Sequence, residues 1–516
     1  MTQNPYGAAH VARQAKWFAV AKAGSAFIAL AWQFVLVRGL TVVDYASFTV
    51  FLAANSVLVF LTLFGLDRVV YRAVPPLRAA LRWRELACLM LGFSLVRGLC
   101  IAGLLLLVWA LGQRLLPAQL YAETQRLPWQ YLAFSFATGF TDSFAVYANS
   151  LGRQGRQAML LMGATFLRML LVVAAIWHGG FALATAADIM VATEFLLAAA
   201  LLVVLARELA GLRRQAPPAG GPLQWGFSLR ALVRDSLSTQ LTYMVGLPFR
   251  GALLRLIVGA VASPLVVAAF GFFQALSDRA YQFMPVFLMK GMLEPAMASD
   301  FAQRRDYERI RLVLRLVLRL NYLILALGLC LLIGSGAPLI DWVTHGRYGG
   351  ETMLAVLILL QLGAMTLGES LWMGLNPIGR LAYHNKVWLY VSLLCYLGVA
   401  AAAAARSPAA LLLVAVLPYG MVFAWLRWVS GEPFLQGGLG LEQLWRLAPP
   451  LLGGIAVARA ILWYSSALPA LVLSVMMASV VFAGLARAMG LFDPRELEQV
   501  AAISPRLARL LRWVSA

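Results

Sequence analysis

The chain has 516 residues, of which 62% are hydrophobic and only 12% charged, with a mean hydropathy of +0.80. A soluble domain carries about 25% charged residues, so a water-soluble globular protein is excluded. The formal net charge of +20 would suit nucleic acid, but the placement of the cations argues for membrane topology and against a nucleic-acid partner.

A membrane-spanning helix needs about 20 apolar residues, and fourteen such segments follow one another. They are 17–37, 44–66, 86–112, 129–150, 158–178, 189–206, 237–262, 265–289, 320–343, 353–378, 387–405, 408–428, 447–466 and 468–489. The fold expected is therefore an all-α polytopic membrane protein. Thirty of the 42 Lys and Arg fall in the termini, the even-numbered loops and the adjoining span ends. Five (Arg38, Arg114, Arg126, Arg347, Arg406) fall on the other side, and seven lie inside spans: Lys22, Arg97, Arg168, Arg250, Arg255, Arg279 and Arg459. The positive-inside rule then places both termini in the cytoplasm, as an even number of spans requires.

Residues 207–236, with the run Ala216-Pro217-Pro218-Ala219-Gly220-Gly221-Pro222, form the longest polar interruption of the first half and read as a cytoplasmic linker. It separates a six-helix lobe (1–206) from a second (237–428), followed by two further spans (429–489) and a tail (490–516). An even number of spans per half makes any repeat parallel. Asp300 to Arg319 and the tail from Ser504 are amphipathic, with basic residues between apolar ones. They suit interfacial helices or simple positive-inside anchoring.

External loops are short, with no room for a folded catalytic domain. No P-loop, HExxH or Ser/His/Asp arrangement occurs. The four cysteines all lie in spans without CxxC spacing, which supports neither a disulfide framework nor a zinc site. Neither an enzyme, a cofactor nor a metal centre is expected.

The chemistry is in the membrane charges. An ionised side chain at mid-membrane costs about 2.5–3.5 kcal/mol on insertion scales, so it is rare unless it faces a cavity or a partner. Arg250, Arg255 and Arg279 lie on two successive spans in which Asp278 is the only acid. Three cations there suggest a basic, water-filled chamber for an anionic ligand, with an internal ion pair such as Asp278 with Arg250 as the alternative. At about 100° per residue, Arg250 and Arg255 diverge by roughly 140° around their helix. Lys22 is a candidate cation at the cavity mouth or the interface. Arg97, Asp142 and Arg168, near mid-depth on three successive spans, suggest a structural triad. Glu194 and Glu369 are isolated acids, suited either to a coupling proton or sodium ion or to a hydrogen bond with a neighbouring helix. Pro248 and Pro285, on the two arginine-bearing spans, can mark kinks.

Several stretches carry a family resemblance: LVRGLTVVDYASFTVF from Leu36, FGLDRVVYR from Phe64, GFFQALSDRAYQFMPVFLMKGMLEPAMAS from Gly271, and HGRYGGETMLAVLILLQLG from His345. Together they resemble the multidrug/oligosaccharidyl-lipid/polysaccharide (MOP) exporter superfamily, in particular its bacterial polysaccharide flippases. The resemblance implies two six-helix lobes working by alternating access, and a basic cavity for a polyprenyl-diphosphate-linked oligosaccharide. It also implies a bacterial inner-membrane location, with membrane lipids and other polysaccharide-assembly proteins as partners. Lys16 and Lys22, six apart on the first span, resemble a basic pair of the family's peptidoglycan-precursor flippase, whose last two helices help hold the lipid tail. The alternatives are a cation-coupled multidrug exporter of the same fold and a non-transporting scaffold of a polysaccharide assembly complex.

Overall fold

The computed structural model describes residues 8–63, 65–215, 234, 237, 240–287, 297, 301, 305–436, 439–465 and 467–490. They are helical, without strands. Eleven helices among them are long and apolar enough to cross a membrane. Three expected spans fall outside that set: 129–150, 237–262 and 265–289. The first and third form helices interleaved with Ser, Thr, Gln, Asp or Arg, and the second is broken.

The chain divides into two compact units: Met1–Leu247 with Arg255–Ala268, and Pro248–Leu254 with Ala269–Ala516. Unit 1 holds α1 (Ala8–Gly39), α2 (Val42–Leu61), the short α3 (Leu66–Ala79), α4 (Trp83–Leu115), α5 (Ala118–Arg126), α6 (Pro128–Ser150), α7 (Gln154–Trp177) and α8 (Leu183–Gln215). The hairpin of α9 (Gly251–Val261) and α10 (Pro264–Phe283) supplies residues to both units. Unit 2 continues with α11 (Tyr307–Thr344), α12 (Thr352–Leu375), α13 (Leu381–Ala404), α14 (Pro408–Ala424), α15 (Pro433–Gln436), α16 (Ala448–Tyr464) and α17 (Leu468–Ala488).

Local sequence explains the helix starts. Thr41 accepts a hydrogen bond from the Asp44 amide, Asp306 from those of Glu308 and Arg309, and Ser407 from that of Ala410. Each oxygen occupies one of the orphan donors of a first turn. Prolines open α6, α14, α16 and α17, where a missing N–H costs nothing.

The same pairings recur in both units. In unit 1, α6 packs on α4 and α8, and α7 packs on α8; in unit 2, α12 packs on α11 and α14, and α13 on α14. Corresponding helices meet in the same chain order in each unit. Large apolar side chains such as Leu91, Leu95, Leu106, Trp109, Leu397 and Trp463 remain exposed. In a spanning helix their solvent is lipid, so they need no other cover.

Three expectations on the elements change. The span 237–262 is not one helix: helical residues 240–245 end in a turn, a 3₁₀ turn covers Leu247–Phe249, and α9 begins at Gly251. Pro248 has no N–H to give and its ring blocks the preceding turn. At this break the Phe249 carbonyl accepts from Gln361 Nε2 of α12 at 3.0 Å. From Tyr307 onward, the stretch read as an interfacial helix or a positive-inside anchor is continuous with the span 320–343 in α11, a 38-residue helix about 57 Å long. Arg311 ties this part of α11 to the carbonyls of Phe434 and Pro433. Helix α8 continues to Gln215, through the first residues assigned to the linker. Residues 216–233, 235–236 and the tail 491–516 lie outside the described residues.

The last two helices are fastened to α11 by small residues. A side chain at Gly454 would meet Cys330 Sγ, and the Cβ of Ala458 fills the space beside Gly334. Across this close approach, Ser335 and Ser474 hydroxyls lie 3.0 Å apart and Arg459 donates through both Nη2 (2.7 Å) and Nε (3.2 Å) to the Ile333 carbonyl. Small residues and interhelical hydrogen bonds are what hold helices together in lipid, where apolar burial gives little.

Candidate functional site

The break at Pro248 sets the geometry of unit 2. It puts Arg250 and Gly251 at the foot of α9, where a Cβ on residue 251 would collide with the Gln274 side chain of α10. Glycine there lets Gln274 close in, and its Nε2 donates to Asp278 Oδ1 at 3.4 Å, one turn further along α10. Tyr281, again on α10, lies within electrostatic reach of Glu369, Arg250, Asp278 and Tyr419. Tyr419 on α14 in turn feels both Arg250 and Glu369. Its ring lies 2.6 Å from where a Cβ on Gly368 would sit, so the glycine before Glu369 makes room for it. Trp388 of α13 packs on Tyr419 with ring centroids 5.0 Å apart and on His384 at 6.4 Å. His384 is buried and lies within reach of Glu369. Five helices thus bring the positive charge of Arg250 near two acids, Asp278 and Glu369, with tyrosines and a histidine between.

Unit 1 handles its charges differently. Arg97 on α4 is 1% exposed. It donates to Ser143 Oγ at 2.9 Å and to the Val59 carbonyl at 3.2 Å, and reaches Asp142 Oδ2 at 3.4 Å. Arg168 on α7 donates through Nη2 to Glu194 at 2.8 Å and through Nε to Thr193 at 3.1 Å. Arg97 with Asp142 and Arg168 with Glu194 form two pairs on four helices, and Asp142 lies within electrostatic reach of Glu194 as well.

Of the expected cavity cations, Arg250 and Arg279 belong to unit 2, and Arg255 and Lys22 to unit 1. Arg250 precedes α9 and Arg255 lies within it, so the expected divergence around one continuous helix does not apply. Lys22 is half-buried on α1, its ammonium 5.5 Å from the Phe18 ring centroid. Lys16 lies in the same helix, its side chain outside the described residues.

Spacing alone left Glu194 and Glu369 isolated. The fold gives Glu194 the guanidinium of Arg168 and brings Glu369 within reach of the same tyrosines as Arg250. Sequence reasoning missed Tyr281, Tyr419 and His384 altogether. The available signal was two tyrosines and a histidine within otherwise apolar spans, next to the Gly368-Glu369 step.

No protein-family model and no curated protein sequence matches the chain. Solved structures do. The lipid II flippase MurJ, in an inward-closed conformation, aligns with 91% of this chain and 98% of its own at 13% identity, with a TM-score of 0.61. The eukaryotic MATE transporter AtDTX14 aligns over 82% of this chain and 96% of its own at 13% identity and TM-score 0.53. An inward-facing multidrug resistance MATE family transporter of the MOP superfamily covers 79% and 94% at 14% identity and TM-score 0.53. With two units of repeated helix pairings and two further helices fastened to the second, the chain has the fold of the membrane transporters of the MOP superfamily.

Proposed function

We propose that this chain is a flippase for a polyprenyl-diphosphate-linked oligosaccharide in a bacterial inner membrane, serving export or assembly of a surface polysaccharide. The observation that carries the reading is the extent of the likeness to a flippase fold. A flippase for a lipid-linked molecule aligns with 91% of the chain, whereas the two multidrug-family structures reach 82% and 79%. The charge inventory is compatible with it: seven cations and six acids lie inside the expected spans, two of the acids, Asp44 and Asp341, at span ends.

The head group enters from the cytoplasmic side and is held by Arg250, Arg255, Arg279 and Lys22. Arginine suits a diphosphate because its planar fork engages two oxygens at once. A protein chamber is required because the bilayer core offers a charged head group no hydration. Membrane potential contributes about 2.3 kcal/mol per charge per 100 mV, and Glu369 with Asp278 is where a coupling H+ or Na+ would act.

A second reading, a cation-coupled exporter, is favoured by one feature: in unit 2, Arg250 and Arg279 are matched by Asp278 and Glu369. Mass spectrometry of lipid extracts from a strain lacking the protein distinguishes the two. Accumulation of a complete polyprenyl-diphosphate repeat unit is expected, and the R250Q/R255Q/R279Q triple variant should insert normally yet fail to relieve it. Normal polymer with no accumulated intermediate would overturn the flippase reading and favour the exporter.

A further inference from the structure

The arginine-rich end of unit 1 is built around one carboxylate. Glu208, near the end of α8, has its Oε1 2.7 Å from Arg153 Nε and accepts at Oε2 from Arg153 Nη2 at 2.9 Å. Arg78 of α3 lies 3.6 Å from Oε2, and Arg156 of α7 lies 3.7 Å from Oε1. The carboxylate side chain is 12% exposed and Arg78 10%, whereas Arg156 is 59% exposed. Beneath them, Val70, Val74, Leu77, Leu86, Leu151, Leu205 and Leu212 form a continuous apolar pedestal joining α3, α4, α8 and the α6–α7 turn. The guanidinium groups are therefore held in place on a folded base.

Charge is in excess here however the pairs are drawn. Residues 73–85, 149–157 and 204–215 contain eight arginines and two acids, a surplus of six. Guanidinium groups converging on one carboxylate also present the geometry that a phosphate prefers. One turn along α7 from Arg156, the exposed side chain is apolar, Met159. Positive charge bordering a lipid-facing apolar strip, on the side where the positive-inside rule places the cytoplasm, matches an amphipathic anion.

We propose that this end of unit 1 is a binding site for the phosphodiester headgroup of an anionic phospholipid of the cytoplasmic leaflet. Arg156 and Arg153 engage the phosphate, Glu208 holds the arginines in register, and the acyl chains lie along α7 from Met159. This site is independent of the transport reading, since none of these residues belongs to the membrane-interior charge clusters.

The test is native mass spectrometry of the purified full chain with phosphatidylglycerol or phosphatidylcholine at equal concentration. Phosphatidylglycerol occupancy is expected to be at least about fivefold higher. Arg156→Gln should lower it about fivefold, which corresponds to ~1 kcal/mol for one arginine at an anionic surface, without moving the melting temperature. Glu208→Gln should raise it, because the carboxylate competes with the phosphate for the same donors. Arg427→Gln, a cation lost from unit 2, should leave it unchanged. Equal occupancy by both lipids, no effect of Arg156→Gln, or an equal loss in Arg427→Gln overturns the site. Displacement of the lipid by inorganic phosphate at matched concentration would make it a site for soluble phosphate and overturn the headgroup assignment.

Discussion

Two regions with the same helix pairings treat their buried charges in opposite ways. In unit 1, Arg97 pairs with Asp142 and Arg168 with Glu194 through short, directional contacts between neighbouring helices. In unit 2, Arg250, Asp278 and Glu369 meet around Tyr281 and Tyr419 in a cluster drawn from α9, α10, α12 and α14. The first arrangement fixes helices to one another. The second gathers polar groups where a proton, a cation or a substrate can change their balance. A repeated scaffold thus carries one structural and one adaptable set of charges.

The contrast is broken most severely by removing one partner from a unit 1 pair. Arg168→Met leaves Glu194 buried without its counter-charge and is expected to cost about 3–5 kcal/mol of stability. Adding Glu194→Leu should return much of that loss, as thermal melting in detergent would reveal; an unchanged melting temperature in the single variant would remove the structural role. Next in size is Gly454→Leu, where the new side chain must enter the space of Cys330. A cost of about 1–3 kcal/mol is expected for such overpacking, and protease cleavage should become easier between α15 and α16.

Glu369→Gln is expected to cost about 1 kcal/mol or less, within the range of mild substitutions, because Asp278 remains near Arg250 on the same cluster. Transport should nevertheless fall at least tenfold when flipping is followed in proteoliposomes. Full transport in that variant would erase the distinction between the units.

The smallest effect concerns the loop after α14. Burial raises the Glu432 carboxyl above its ordinary value of 4.5, and Arg380, 3.6 Å away, pulls it partly back. The folded protein holds that proton more tightly than the unfolded chain, so this group's contribution to stability falls as pH rises through the raised pKa and is level above it. Glu432→Gln should flatten that slope. A melting curve of the variant that still parallels the parent from pH 4 upward would show that Glu432 does not titrate in this range.

Much of the architecture was legible because lipid imposes a simple requirement on sequence. Segments such as 86–112 and 468–489 need only be long and apolar; α4 extends three residues beyond each end of the first, and α17 matches the second to within one residue. The interrupted segment before Arg250 was legible only as a proline mark, since the contact that anchors the break comes from Gln361, more than a hundred residues away, donating to the Phe249 carbonyl. The same limit governed the charges. Arg97 and Asp142 are 45 residues apart and Arg168 and Glu194 are 26 apart. Pairing at such separations is decided by which helix faces meet, and periodicity does not report that. Glu369 and Arg250 meet only because α12 and α14 pack beside the broken helix, and the glycines at 251 and 368 matter only through the side chains they admit.

The attachment of α16 and α17 has a practical consequence for shortening the chain. The outer face of α11 that they cover offers a carbonyl at Ile333, a hydroxyl at Ser335 and a shallow notch at Gly334. Cut after residue 430, the remaining protein would show these groups to hydrocarbon, which can satisfy none of them. The stripped face would seek a substitute helix, and the nearest one available in a crowded bilayer is the same face of another copy.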